Sequence, residues 1–301
     1  MNKMSQPLLI TGAGGRLGQA ILAVASKTEN TSVIATTRAP EAISANGISG
    51  LSVRAADFDH PDSLAAAFKG AKRLLLISTD ELHQTGKRIR QHESAIQAAI
   101  EAGVEHIVYT SMPAPDRASA VPFAVDHSAT EHALRRSGVG HTIMRVSWYT
   151  ENLLDLGILS TAVSTGKWYT SAGAGTIPYV PRSDVARAAW AALASGDTAT
   201  RTLDITGSIA LSVEAMAAVA AEVFNKNIEV IHVDDVELAK CLARSGLAEP
   251  LIPMIVATDA NTRAGNFQVT SDSIRELTGQ APSALKDFLL RYVSTFATTN
   301  S

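Results

Sequence analysis

Leu8-Leu9-Ile10-Thr11-Gly12-Ala13-Gly14-Gly15-Arg16-Leu17-Gly18-Gln19-Ala20-Ile21-Leu22 decides the fold. A short apolar run leads into glycines, and Leu17, Ile21, Leu22 and Val24 then recur at helical spacing, so the stretch reads strand, turn, helix. That order suits a pyrophosphate. Glycines let backbone N–H groups approach the anion closely, and the positive end of a helix dipole stands behind them. Gly12 permits the tight turn, Gly15 brings the backbone to the phosphates, and Gly18 lets the helix pack closely on what precedes it. A flexible surface loop is the bland alternative, and the strand before and helix after weigh against it.

Outward from there, Val33-Ile34-Ala35-Thr36-Thr37-Arg38 reads as a second strand. Its end is where a nucleotide domain senses the adenosine ribose, and an acidic residue there would accept from the 2′-hydroxyl of NAD. None is present. Arg38 stands at the strand end and Arg16 in the glycine loop, and guanidinium groups suit a 2′-phosphate, so NADP(H) is expected over NAD(H). Either arginine could instead simply face solvent. Leu51 to Ala56 gives a third strand ending at Asp57 and Phe58, where Asp57 reads equally as an adenine-edge residue or a turn carboxylate. The apolar run Leu74-Leu75-Leu76-Ile77, followed by Ser78 and Thr79, fits a central strand buried on both faces. An amphipathic helix from about Thr85 to Ala102 ends at Gly103, and His106 to Ser111 supplies the next strand. The alternation predicts an α/β fold, a doubly wound parallel Rossmann sheet with ligands at the carboxyl ends of its strands.

The totals exclude several classes. The chain has 301 residues, 46% hydrophobic and 18% charged, with net charge −3, so neither nucleic acid nor a membrane surface is an expected partner. Cys241 is the only cysteine, which leaves no disulfide and no cysteine-rich metal site and fits a reducing cytoplasm. No apolar run approaches a membrane span, and the first residues lack a signal-peptide pattern. No metal site is expected. Residues 1–150 are assigned to nucleotide binding. Residues 151–301 form a smaller, mostly helical substrate domain, with elements near 176–206 returning to the first and the acceptor expected in the cleft between them.

In that second half the composition turns to loops from Gly166, and Ser183 is the expected N-cap of a helix reaching Ala194, with Arg182 and Asp184 as an alternative ion pair. Short strands near Leu203 to Thr206 and Ile228 to Val233 follow, with helices at Ser212 to Phe224, Val236 to Ser245 and Pro282 to Phe296. Trp148, Trp168, Tyr169 and Phe267 are candidates for a pocket that holds a flat ligand, although ordinary core packing explains most aromatics.

These pieces together resemble the NmrA-like atypical short-chain dehydrogenases, and within them the branch of quinone and triphenylmethane reductases. The resemblance is carried by Thr11 to Gly18, Arg38, Leu74 to Ser78, Tyr109-Thr110-Ser111, Asp126-His127, Thr130-Glu131 and Trp148-Tyr149-Thr150-Glu151-Asn152. It implies cofactor contacts at Gly12, Ala13, Gly14, Gly15, Arg16, Leu17 and Gly18, at Arg38, Asp57 and Phe58, and at Ile77, Ser78 and Thr79. Ser111, Val146 and the small-residue loop at Ala172 and Gly173 complete the set, with Trp148, Tyr149 and Asn152 at the acceptor. Short-chain dehydrogenases commonly use a Tyr-x-x-x-Lys pair as proton donor. No tyrosine here has a lysine four places on, and counting from Glu131 puts Phe123 and His127 at the two positions. Where the family pattern has Asn-Gly, this chain has Val146-Ser147.

A missing acid matters most for an ordinary ketone, whose alkoxide needs a proton. Quinones and cationic dyes are less demanding, since hydride yields a phenolate or a neutral product. His127 and Tyr149 are the catalytic candidates for any remaining protonation. The chain therefore reads as an NADPH-dependent oxidoreductase acting on an electrophilic aromatic acceptor. A non-catalytic NADP(H)-sensing regulator and a carbonyl reductase with an unconventional acid are the alternatives, and a homodimer is the candidate assembly.

Overall fold

A computed structural model of the chain describes residues 6–43, 47–48, 50–81, 84–115 and 119–299, the last six of these by backbone alone. Along it come β1 (Leu8–Ile10), α1 (Arg16–Ala25), β2 (Val33–Thr37), β3 (Leu51–Ala55), α2 (Leu64–Phe68) and β4 (Arg73–Leu76). Next are α3 (Lys87–Glu101), β5 (His106–Ser111), α4 (Ala124–Ser137), β6 (Gly140–Val146), α5 (Asn152–Asp155), α6 (Ile158–Thr165) and β7 (Lys167–Thr170). The remainder is α7 (Arg182–Ala194), β8 (Arg201–Ile205), α8 (Val213–Phe224), β9 (Glu229–His232), α9 (Asp235–Arg244), α10 (Ile252–Arg263), α11 (Ser273–Thr278) and α12 (Leu285–Thr299).

The chain divides into two compact units. The first takes Met1–Pro115, Val125–Val146 and Val185–Leu203, and the second takes Asp116–Ala124, Ser147–Asp184 and Asp204–Ser301. The first unit is organised by a seven-stranded sheet in the order β3-β2-β1-β4-β5-β6-β8. From β3 through β6 every pairing is parallel, with Leu9 opposite Ile34 on one side and Leu74 on the other. Two-faced burial explains the continuous apolar runs: Leu9, Ile10, Leu74, Leu75, Leu76, Ile107 and Val108 are wholly inaccessible. Phe68 of α2, Ile96 of α3 and Leu134 of α4 pack over one face with Leu74, Leu76 and Tyr109, each such side chain contributing roughly 1.5–3 kcal/mol by burial. The chain runs β1, β2, β3 in one direction and resumes at β4 on the other side of β1, a reversal that opens a crevice at the carboxyl ends of β1 and β4.

At the far side, Arg73 of β4 donates to the carbonyls of Leu193 (2.8 Å), Ala192 (3.1 Å) and Asp197 (2.6 Å). It thereby answers carbonyls that the end of α7 leaves without helical partners.

The second unit is mostly helical, with β7 and β9 as a parallel pair. Ser212 caps α8 by accepting from Ala215 N at 3.3 Å, and Asp234 caps α9 by accepting from Glu237 N at 2.7 Å. No helix among the described residues is long and apolar enough to cross a membrane, and no group of three metal-binding side chains occurs among them.

Several expectations about the second half are corrected. Ser183 is not the N-cap: α7 starts at Arg182, Asp184 N donates to Pro181 O, and Ser183 lies exposed in the first turn. Nor do Arg182 and Asp184 pair, because Arg182 reaches Asp155 at 3.4 Å and Asp184 accepts from Ser283 N at 2.6 Å. Gly166 opens no loop. It terminates α6 in the left-handed region, and β7 begins at the next residue. Helices α6 and α10 are additions to the sequence reading; α10 shows no clear amphipathic period.

Candidate active site

At the crevice of the first unit, Gly12 takes φ +60°, and a Cβ on Gly18 would lie 2.3 Å from Gly12 O and 2.6 Å from Ala13 Cα. Only glycine allows that closeness. It seats the first turn of α1 directly on the Gly12–Ala13 backbone, and Gln19 Nε2 locks the turn by donating to Ala13 O at 2.9 Å. Gly15 occupies the cap position without a side chain to satisfy the first N–H groups of α1, and the first turn carries no acidic residue. Those N–H groups and the dipole behind them form an anion site open to solvent, with Gly12, Gly14, Gly15 and Arg16 exposed along it. Ala13 and Leu17 are buried beneath.

Around this loop, Arg38 follows β2 and is exposed. Asp57 accepts from Asp59 N at 3.0 Å, an Asx turn, and Gln91 holds Asp59 in turn at 2.9 Å. Phe58 packs its ring against the core. Past β4, Ile77 N donates to Thr11 Oγ1 at 3.1 Å and Ser78 N to Thr110 Oγ1 at 2.9 Å. Ser111 donates to Glu131 at 2.7 Å, and Glu131, buried, also takes a two-pronged contact from Arg145 at 3.0 and 2.8 Å and another from Arg135 at 2.8 Å. The hydroxyl of Ser111 is thus engaged in the fold. Val146 ends β6, buried.

His127 occupies a setting unlike that expected of a proton donor. It is buried, its Nε2 accepts from Arg88 Nη2 at 2.9 Å, and its Nδ1 lies 2.8 Å from Tyr109 Oη. An arginine can only donate, so the proton sits on Nδ1 and is given to Tyr109. Burial first and the Arg88 charge second hold the ring well below the ordinary imidazole value, hence neutral. His92 repeats the arrangement: its Nε2 accepts from Thr79 N at 3.0 Å and its Nδ1 faces Thr130 Oγ1 at 2.9 Å. Thr130 passes its own proton to Asp126 O at 2.7 Å. Burial and Arg88 lower His92 to about 3. The sequence marks His127 as a candidate and Tyr109 as part of the Tyr109-Thr110-Ser111 block; Arg88 and His92, which complete this buried polar chain, carry no motif.

The second unit holds the remaining candidates. Trp148 stacks on Phe267 with ring centres 6.2 Å apart. The Arg182 guanidinium lies over the Tyr149 ring at 5.1 Å. Burial pushes the Tyr149 phenol up to about 12, with Arg182 opposing, so it is a weak proton donor. Glu151 receives Arg182 N on both oxygens at 3.0 Å, and Asn152 begins α5. Ala172 is buried, and Gly173 takes φ +57° beside the Arg263 side chain. Asp259 of α10, unmarked in the sequence, accepts from Thr170 Oγ1 at 2.7 Å and Ser171 N at 2.8 Å, and Arg263 also donates to Ser171 O.

The strand order, the glycine loop and its uncapped helix define a doubly wound, dinucleotide-binding class of fold. Residues 4–290 match the NmrA-like family, and the chain belongs to it. Quinone oxidoreductase 2 of Escherichia coli is 31% identical over 281 residues, covering 93% of this chain and 96% of that one. The crystal structure of the Escherichia coli NADPH-dependent quinone oxidoreductase with NADPH superimposes with a TM-score of 0.86 at 29% identity, over 96% of this chain and 99% of that chain. Triphenylmethane reductase of Citrobacter sp., complexed with NADP(H), gives a TM-score of 0.86 at 30% identity, over 95% and 99% of the two chains.

Proposed function

We propose that the protein is an NADPH-dependent oxidoreductase that passes hydride to a quinone or a similar electrophilic aromatic acceptor. The observation that carries this reading is the open N-terminus of α1 behind Gly12 to Gly18, with Arg38 at the end of β2 where an NAD-binding domain would carry an acid. The similarity to the quinone and triphenylmethane reductases supports it over nearly the whole chain.

The residues fit such a cofactor. First-turn N–H groups of α1 would hold the pyrophosphate, and Arg38 with Arg16 the 2′-phosphate. Ile77, Ser78 and Thr79, with Ser111 and Val146, lie at the carboxyl ends of their strands, where the nicotinamide half belongs, and Ala172 and Gly173 add a small-residue loop. The cofactor supplies hydride when bound. Trp148, Tyr149 and Asn152 would contact the acceptor. His127 serves in the buried chain that anchors Thr79 and Tyr109, and a neutral ring with both nitrogens engaged gives no proton to a ligand. The lone Cys241 supports a reducing, cytoplasmic setting.

The test is oxidation of NADPH, followed by absorbance, with quinones, triphenylmethane dyes and simple ketones, beside titrations of NADPH and NADH. Turnover of quinones or dyes with none of ketones is expected. Tight NADPH binding without turnover of any acceptor would replace the enzyme by a sensor, and ketone turnover would point to a carbonyl reductase.

A further inference from the structure

Strand β4 ends at Leu76, and each of the next three backbone amides donates to a side chain from a different part of the first unit. Ile77 N reaches Thr11 Oγ1, just past β1, at 3.1 Å. Ser78 N reaches Thr110 Oγ1 of β5 at 2.9 Å, and Thr79 N reaches His92 Nε2 of α3 at 3.0 Å. All three acceptors are buried, while residues 77–79 are half-buried where β4 opens on the crevice. Chain that leaves a sheet has lost its ladder partners, and these clips replace them one for one. Each of the three N–H groups is spent on the fold.

We propose that His92 is a positioning residue for the nicotinamide half of the cofactor: it completes this row of clips and so presets Ser78 and Thr79 for contact with that half, an assignment that rests on the NADPH-dependent function proposed above. The imidazole can do this in one form only. A backbone amide only donates, so Nε2 must keep its lone pair and Nδ1 must carry the proton. That proton goes to Thr130 Oγ1 at 2.9 Å, and the Thr130 hydroxyl gives its own to Asp126 O at 2.7 Å, so the clip is anchored on the backbone of α4. Tyr109 meets the His92 ring edge-on, with ring centres 5.6 Å apart, and fixes its plane. Burial and the Arg88 charge keep the ring neutral.

Reach explains why the third clip is a histidine. Strands β1 and β5 flank β4, so a threonine on either is long enough to meet Ile77 or Ser78. Thr79 has left the sheet, and a longer side chain has to come to it from α3. A segment held in this way before the ligand arrives does not have to be ordered by it, which leaves more of the contact energy to appear as affinity.

Binding supplies the test. His92→Leu removes the acceptor, and His92→Gln returns one near the place of Nε2. Calorimetric titration of His92→Leu is expected to show the NADPH dissociation constant raised about tenfold, the equivalent of ordering roughly one backbone residue on binding. Adenosine 2′,5′-bisphosphate, which has no nicotinamide half, should bind His92→Leu as it binds the wild type, and His92→Gln should restore most of the NADPH affinity. Hydrogen exchange in the peptide spanning residues 77–79 reads the clip directly, slow in the wild type and His92→Gln and faster in His92→Leu. Thr110→Val, which removes the acceptor of Ser78 N, is expected to give the same split between the two ligands and carries the test if His92→Leu does not fold. Equal losses of NADPH and the bisphosphate would reduce His92 to a purely structural residue. An unchanged NADPH constant, no rescue by His92→Gln, or exchange as fast in the wild type as in His92→Leu would also overturn the role. A wild type that binds no NADPH would fail at the function itself, and this assignment with it.

Discussion

Gly18→Ala tests how α1 meets the cofactor. A Cβ there would stand 2.3 Å from Gly12 O, 2.6 Å from Ala13 Cα and 2.9 Å from Ala13 C, all backbone atoms that cannot rotate aside. Restoring even a tight 3.0 Å contact requires α1 to retreat by 0.7 Å (3.0 minus 2.3) from the loop. An N–H···O bond of about 2.9 Å to a phosphate would then stretch to about 3.6 Å, past hydrogen-bonding reach. Losing one charge-assisted bond costs about 1.5–3 kcal/mol, so NADPH affinity should fall by about 10- to 150-fold. The wild type, titrated side by side, is the control. Fluorescence titration with NADPH reads the affinities, and thermal melting confirms that the variant is folded. Binding of NADPH by folded Gly18→Ala within threefold of wild type would refute the reasoning.

Three further outcomes are expected. Arg38→Glu should weaken NADPH far more than NADH in parallel titrations, and comparable losses for both would remove Arg38 from the 2′-phosphate. Glu131→Ala removes the buried carboxylate that Ser111, Arg135 and Arg145 share and should destabilise the protein by about 3–5 kcal/mol in urea unfolding. His92 titrates at about 3 in the fold against its ordinary 6.5, so below pH 6.5 the unfolded chain binds a proton that the native state refuses. Stability therefore rises with pH across that window and is lost as pH falls through it, by about 2 kcal/mol from pH 7 to pH 5 for this one ring. Urea melts of wild type and His92→Gln at the two pH values measure it, and parallel acid slopes would contradict it.

The nucleotide half was legible because its signals are local. A strand buried on both faces must be apolar throughout, as Leu74 to Leu76 is, and a turn that admits no Cβ must be glycine, as at Gly18. The acid chemistry was hidden because burial and partners, rather than residue types, set it. His127 stands at the position where short-chain dehydrogenases keep a lysine, yet Arg88, thirty-nine residues away, fixes its proton and its charge state. Asp259 looked like any helical aspartate, and only the fold brings Thr170 and Ser171 to it. In the second half, α10 carries its apolar residues at one end and its polar ones at the other, which erases the period that betrays a helix. The same blindness to tertiary partners misplaced the start of α7, where Pro181 supplies the first turn's carbonyl and leaves the Ser183 hydroxyl outside.

Arg73 has a consequence for the order in which the chain can mature. Its guanidinium is answered by carbonyls at residues 192, 193 and 197, so a nascent chain that has emerged only through β6 lacks the three acceptors that hold this cation. The first unit would have to wait on the ribosome until residue 203. A gene fragment ending near residue 150 would then yield an aggregation-prone intermediate rather than a free-standing nucleotide-binding module, and fusions or split reporters are better joined beyond β8.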